Sequence, residues 1–147
     1  WPTARAWAVD PSPVALAVTA QNAQRHGVAA RLQLVEGTYL QGCPPGLDLI
    51  ISNPPYINWP DLAALDPTVR DHEPLLALDG GPDGLTAYRH LLPLAAAQLR
   101  PGGALGLEHG VDQAPAIISL FAQGPWDGVQ SCPDLTNRPR VLWAVRR

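Results

Sequence analysis

The sequence has little of what marks several large classes of protein. It has only two cysteines, Cys43 and Cys132, and their isolation predicts reduced packing residues rather than a disulfide or a metal pair. The formal charge is −3, and binding to a phosphate backbone usually needs a basic face. We therefore expect no nucleic-acid partner.

Long hydrophobic runs are also missing. No apolar run approaches the ~18 residues that a membrane-spanning helix requires. No leader with a charged and then an apolar part opens the sequence, so we expect a cytoplasmic protein without a membrane segment. The histidines are scattered without the spacing of metal ligands, and we expect no metal. They are His26, His72, His90 and His109.

What is present is typical of one globular domain. The length of 147 residues favours a single domain, and 46% hydrophobic residues are enough to form a core. The 13 glycines and 17 prolines are many for such a domain, but they stay below the low-complexity range of roughly 25–30%.

The order of the predicted elements indicates the fold class. Strand patterns alternate with helix patterns, which favours an α/β fold with a doubly wound, parallel sheet. The strands are predicted at 5–10, 31–37, 46–52 and 104–110, with a final pair at 128–134 and 140–146. The helices are predicted at 11–27, 85–103 and 111–124, and residues 57–83 are predicted to form a long loop.

Local signals support two of these helices. Ser12 is a candidate N-cap, Pro13 suits the first helical position, and Gly27 is a stop signal. Pro93 lies inside the second helix and should kink or split it, because proline lacks the backbone N–H that a helix interior requires. Pro101-Gly102-Gly103 should close that helix.

The exit from the strand at 46–52 has an unusual composition. The apolar run "LDLII" leads into "SNPPYI", in which Pro54 and Pro55 have fixed φ angles and no N–H groups. Asn53 precedes a proline and is therefore pushed toward extended backbone. The result is a stiff segment that holds one side-chain amide and a free carbonyl in fixed directions, which suits a binding site better than a simple turn.

Two other strands end in suggestive residues. In doubly wound sheets, ligands bind beyond the carboxyl ends of the strands. Asp10 ends the first strand predicted in this sequence. An acid that ends the second strand of such a fold often holds ribose hydroxyls, although a helix-capping or loop acid is an open alternative. Tyr39 follows the second strand and could stack on a flat base or lie half-buried at the surface. With Asn53, these residues favour a cofactor that contains a nucleoside.

Five segments together carry a resemblance to a known family. They are "AVDPSPVALAVTAQNAQRHGV", "LDLIISNPPYI", "VRDHEPLLALDGGPDGLTAYRHLL", "LRPGGALGLEHGVDQ" and "DLTNRPRVLWA". They resemble the HemK/PrmC family of S-adenosylmethionine-dependent methyltransferases, which modify the glutamine of the GGQ motif in class 1 peptide chain release factors. "NPPY" is also found in adenine-N6 and some rRNA methyltransferases, but the segment from Glu73 to Leu85 is more specific.

The resemblance implies roles for individual residues. The Asn53 side-chain oxygen and the Pro54 carbonyl would accept the two N–H groups of the target amide, and the Tyr56 ring would pack on its plane. Pro55 and Glu73 would help to shape the substrate site. Asp10, Tyr39 and Asn53 would contact S-adenosylmethionine. The resemblance thus implies catalytic roles for Asn53, Pro54 and Tyr56. It implies substrate-binding roles for Asn53, Pro54, Pro55, Tyr56 and Glu73, and cofactor-binding roles for Asp10, Tyr39 and Asn53.

The sequence also departs from the family pattern. The glycine-rich loop after the family's first strand and the N-terminal helical domain are absent, so residues 1–147 are expected to be a partial catalytic domain. We expect the strands at 5–10 and 47–52 either to leave a gap or to pair with each other. This piece alone is expected either to be poorly soluble or to bind the cofactor far more weakly than the full enzyme. Thr38 replaces the usual acid, which weakens the expected polar contact to adenine.

Three interpretations of function remain open at this stage. The first is a protein-glutamine N5-methyltransferase. The second is a nucleic-acid amino methyltransferase that uses the same "NPPY" residues, and the third is an inactive truncated remnant. Trp59 could line the substrate site or only pack. For Glu108 and His109, a structural or loop-orienting role is favoured over catalysis.

Overall fold

The computed structural model describes residues 2–70 and 72–147, so the predictions that involve Trp1 and Asp71 lie outside the described residues. The chain divides into two compact units, Trp1–Pro44 and Pro45–Arg147. Each unit contains its own sheet.

The first unit is a strand–helix–strand motif. The strands β1 (Ala6–Asp10) and β2 (Leu32–Glu36) are parallel, and the helix α1 (Pro13–Arg25) connects them. A short 3₁₀ turn at Ala29–Arg31 lies between α1 and β2. The Ser12 Oγ accepts a hydrogen bond from the N–H of Ala15 at 3.2 Å, and Pro13 stands in the first turn. The sequence therefore predicted both the N-cap and the start of this helix correctly.

The second unit has a four-stranded sheet in the order β3-β4-β6-β5. The strands are β3 (Leu47–Ser52), β4 (Leu99–Glu108), β5 (Trp126–Pro133) and β6 (Pro139–Arg146). The β3 and β4 strands are parallel, whereas β6 is antiparallel to both β4 and β5. The final pair joins through a short turn, and only antiparallel strands can be joined in that way.

The two longest helices of this unit are α5 (Thr86–Gln98) and α6 (Ala114–Phe121). The core lies where these helices cover the sheet. Leu105 and Leu107 of β4 are fully buried, as are Tyr88 of α5 and Ile117 of α6. Burial of this kind, at roughly 25 cal/mol per Å² of apolar surface, is the main favourable contribution to the fold.

The structure corrects the predictions for α5. The helix is continuous through Pro93, so the alternative that Pro93 splits it is wrong. Pro93 is exposed, as is Arg89, whose carbonyl loses its helical donor and can be hydrated instead. The helix also ends at Gln98, before Pro101-Gly102-Gly103, because β4 already begins at Leu99 and pairs there with Leu47.

The predicted long loop at 57–83 is also wrong in part. It contains three short helices, α2 (Trp59–Ala63), α3 (Pro67–Arg70) and α4 (Leu75–Leu78). Helices of four or five residues complete little more than one turn, so they leave no 3.6-residue repeat in the sequence. The side chain of Asn58 caps the first of them by accepting the N–H of Asp61 at 2.9 Å.

The two sheets bear on the prediction for β1 and β3. Within the described residues, β1 pairs with β2 and β3 pairs with β4, so the alternative in which β1 and β3 pair with each other is wrong. No helix in that part of the chain is both long and apolar enough to span a membrane.

A large-to-small substitution tests the core. Leu107→Ala should lower the free energy of unfolding by about 2–5 kcal/mol, because Leu107 is fully buried in a central strand. Leu135→Ala makes the same change at a fully exposed leucine and should alter the free energy of unfolding by no more than about 0.5 kcal/mol. Urea denaturation measures both, and equal losses would contradict this account of the core.

Candidate functional site

The segment Asn53–Tyr56 leaves the carboxyl end of β3 without regular secondary structure. Pro54 is buried, whereas Asn53 is exposed. Within residues 2–70 and 72–147, neither the Asn53 amide nor the Pro54 carbonyl takes part in a hydrogen bond. The buried proline therefore fixes the backbone, while two polar groups stay available to a ligand.

The chain after Tyr56 runs beside the segment that follows α4. The N–H of Ile57 donates to the Leu78 carbonyl at 3.0 Å, and the Ile57 carbonyl accepts the N–H of Gly80 at 2.8 Å. These bonds form a parallel bridge between Ile57 and Asp79. The loop that the sequence left without structure is therefore attached directly to the "NPPY" segment.

Glycines permit this close approach. A Cβ at Gly80 would lie 2.6 Å from the Tyr56 carbonyl carbon, and a Cβ at Gly84 would lie 2.5 Å from the Tyr56 oxygen. Gly84 also has φ +75°, a conformation that side-chain-bearing residues rarely adopt. The "DGGPDG" run at 79–84 thus has a physical reason, since any larger residue there would push the loop away from Tyr56.

Gln113 joins three segments at this place, a role that its local sequence does not predict. Its Nε2 donates to the carbonyls of Tyr56 at 2.9 Å and Gly84 at 3.2 Å, and its Oε1 accepts the N–H of Gly110 at 3.0 Å. Gln113 precedes α6 in a short polar loop, where a glutamine has no distinctive local pattern. Only the folded chain brings it to Tyr56.

Ion pairing and indole hydrogen bonding order the same loop. The guanidinium of Arg89 donates to both carboxylate oxygens of Asp83, at 2.9 and 2.5 Å, and holds the pKa of that carboxyl down at about 2. The Trp59 indole N–H donates to Asp79 at 3.0 Å, although 56% of the Trp59 surface is exposed. Trp59 therefore both packs on the loop and presents a ring to solvent.

The end of β4 carries structural contacts through its backbone carbonyls. The Tyr88 hydroxyl donates to the Glu108 carbonyl at 2.8 Å, and burial raises the pKa of Tyr88. His109 is fully buried, and the Arg140 guanidinium donates to its carbonyl at 3.1 Å. Glu73, by contrast, is exposed, and its N–H donates to the Val69 carbonyl at 2.9 Å.

The predicted nucleoside-binding residues lie in the first unit. Asp10 ends β1, and its Oδ1 accepts a hydrogen bond from the N–H of Ser12 at 2.8 Å. This bond is typical of an acid that stabilises a loop, and it uses one of the two carboxylate oxygens. Tyr39 follows β2 with φ +55° and is 37% exposed. Thr38 donates through both its N–H and its hydroxyl to Gln41. In this unit, as in the other described residues, no group of three or more side chains could hold a metal ion.

Comparisons with known proteins give the family. The release factor glutamine methyltransferase of Moorella thermoacetica is 49% identical over 99% of this chain, which covers 52% of that protein. That of Deinococcus radiodurans is 43% identical over 99% of this chain, which covers 51% of it. The chain belongs to the release factor glutamine methyltransferase family, HemK/PrmC. It spans about half the length of the curated relatives it matches, and no family model matches it.

Solved structures agree on the fold. A methyltransferase from Pyrococcus furiosus superposes with a TM-score of 0.69 at 16% identity, over 96% of this chain and 62% of that one. TrmN from Thermus thermophilus superposes with a TM-score of 0.66 at 18% identity, over 100% of this chain and 38% of that one. The fold is therefore the α/β, Rossmann-like fold of S-adenosylmethionine-dependent methyltransferases, as the sequence predicted.

A matched pair of glycine substitutions tests the contact with Tyr56. Gly46 and Gly84 have φ +80° and +75°, but a Cβ at Gly46 would meet nothing within 4 Å. Gly46→Ala should cost only the strain of a left-handed residue, about 1–2 kcal/mol. Gly84→Ala should cost that amount plus about 1–3 kcal/mol for the overlap with Tyr56 and Gln113. Denaturant unfolding compares the two, and an equal loss would show that the loop does not need the close approach.

Proposed function

We propose that the protein to which this chain belongs transfers a methyl group from S-adenosylmethionine to the N5 nitrogen of the glutamine in the GGQ motif of class 1 release factors. The observation that supports this most is the pair of unused acceptors at Asn53 and Pro54, which the buried proline holds in place. Membership of the family supports the proposed substrate class.

The target nitrogen explains why two acceptors are needed. A primary amide nitrogen is a poor nucleophile, because its lone pair is delocalised into its carbonyl, and its two N–H groups need acceptors. The Asn53 Oδ1 and the Pro54 carbonyl accept one N–H each and so turn the nitrogen in one direction. Tyr56 packs against the planar amide. This is catalysis by positioning and electrostatics. The nitrogen would become acidic once methylated, so water could take its proton and no general base in the protein would be needed.

The residues of the first unit fit the nucleoside part of the cofactor. Asp10 has a second carboxylate oxygen for ribose hydroxyls, and Tyr39 presents an aromatic ring at the surface for adenine. When bound, S-adenosylmethionine supplies an electrophilic methyl group on a sulfonium. Asn53 also contributes to holding the cofactor, and Pro55 and Glu73 shape the approach of the substrate.

Asn53→Ala tests the role of the amide. The change removes one of two acceptors for the target nitrogen, and loss of such a transition-state contact should slow methyl transfer by about 10²–10³. The assay follows labelled methyl groups from S-adenosylmethionine into a release factor, in the full-length protein, with DNA and rRNA as competing substrates. Asn22→Ala, on the exposed side of α1, is the matched control. Near-native turnover of Asn53→Ala, or transfer to nucleic acid instead, would refute the proposal.

Asp10→Ala tests the cofactor residues. Because Asp10 is proposed to bind ribose and not the protein substrate, the change should weaken S-adenosylmethionine binding more than release-factor binding. Calorimetry with S-adenosylhomocysteine and with a release factor measures the two affinities, and Asp127→Ala removes an exposed carboxylate of the other unit as a control. An equal fall of both affinities, or a fall of the second alone, would show that Asp10 has another role.

A further inference from the structure

We infer that Gln113 is a positioning residue for methyl transfer, acting through the backbone of Tyr56. The inference rests on the proposed function, since it concerns the orientation of the Asn53 and Pro54 acceptors in that reaction. The side chain of Gln113 forms hydrogen bonds with Tyr56, Gly84 and Gly110, and not with Asn53 or Pro54. It acts instead on the carbonyl that ends the same four-residue segment.

The partners of Gln113 determine the orientation of its amide. Nε2 faces two carbonyl oxygens, at 2.9 and 3.2 Å, and Oε1 faces one N–H at 3.0 Å. A reversed amide would place an oxygen against two oxygens and a nitrogen donor against an N–H, so only one orientation is compatible with these contacts. The side chain is thus held from three directions.

Prolines make this contact important for the segment. Pro54 and Pro55 have no N–H groups, so the segment cannot be held by donating hydrogen bonds at those two positions. Tyr56 is the first residue after them whose carbonyl accepts a recorded bond from another part of the chain, and the donor is Gln113. The Tyr56 ring also lies close to this point, 3.4 Å from where a Cβ at Gly110 would be. A shift of the Tyr56 backbone would therefore move both the ring and the acceptors.

Gln113→Glu removes both donors of the side chain while it keeps the shape and the oxygen that accepts from Gly110. The new carboxylate oxygen would face the carbonyls of Tyr56 and Gly84 and push them away. Misplacement of reacting groups by about 1 Å costs up to about 10²-fold in rate. In the full-length protein we expect kcat for release-factor methylation to fall by about 10- to 100-fold. The affinity for S-adenosylhomocysteine should change much less, because Asn53 is only one of the residues proposed to hold the cofactor.

Gln123→Glu is the matched control, because Gln123 follows α6, is exposed, and its side chain donates only to the carbonyl of Ser119 in α6. A double-mutant cycle with Asn53→Ala separates positioning from a general structural role. If Gln113 acts by orienting the segment, its substitution should have a much smaller effect once Asn53 is already alanine. Additive effects would overturn the inference.

Gln113→Leu is the second variant, since it removes the donors without adding charge. A folded variant of either kind with unchanged kcat would overturn the inference, and so would failure of both variants to fold, because Gln113 would then support the fold rather than the site. The proposed function fails differently: wild-type protein would not methylate the release factor, or Asn53→Ala would be as active as wild type.

Discussion

Two adjacent prolines after a buried strand are the constraint on which the arrangement of the second unit depends. They make the exit from β3 stiff, and they also remove two backbone donors from it. The segment is held instead through the groups that follow, where Tyr56 accepts from Gln113 and Ile57 exchanges hydrogen bonds with Leu78 and Gly80. Each of these contacts requires another loop to come close, so the loop before α5 and the loop before α6 are both arranged around this exit.

Two side-chain amides of similar chemistry have opposite environments here. The Gln113 amide has three partners within the protein, and both its donor and its acceptor are used. The Asn53 amide is exposed and has no recorded partner in the described residues. An amide that is satisfied internally stabilises the fold, whereas one that is held outward on a rigid segment is available to a ligand. Their separation by one short segment explains how rigidity and recognition can coexist at this site.

Much of the fold could be predicted from local patterns. The alternation of strands and helices, the cap at Ser12 and the final strand pair depend on residues close in sequence, and the structure confirms them. The continuous helix through Pro93 could not be predicted, because it depends on which face of α5 is buried. The short helices at 59–78 were missed because each completes little more than one turn and leaves no 3.6-residue repeat in the sequence.

The sequence by itself determined the stiffness of the "SNPPYI" exit, since the backbone restrictions of proline apply in any fold. It also carried the family resemblance, and with it the interpretation of Asn53 and Pro54. Only the tertiary structure decided what holds that exit in place. Gln113 is 57 residues away from Tyr56 in the chain, and a contact over such a distance arises from the packing of β3, β4 and α6 rather than from any local preference.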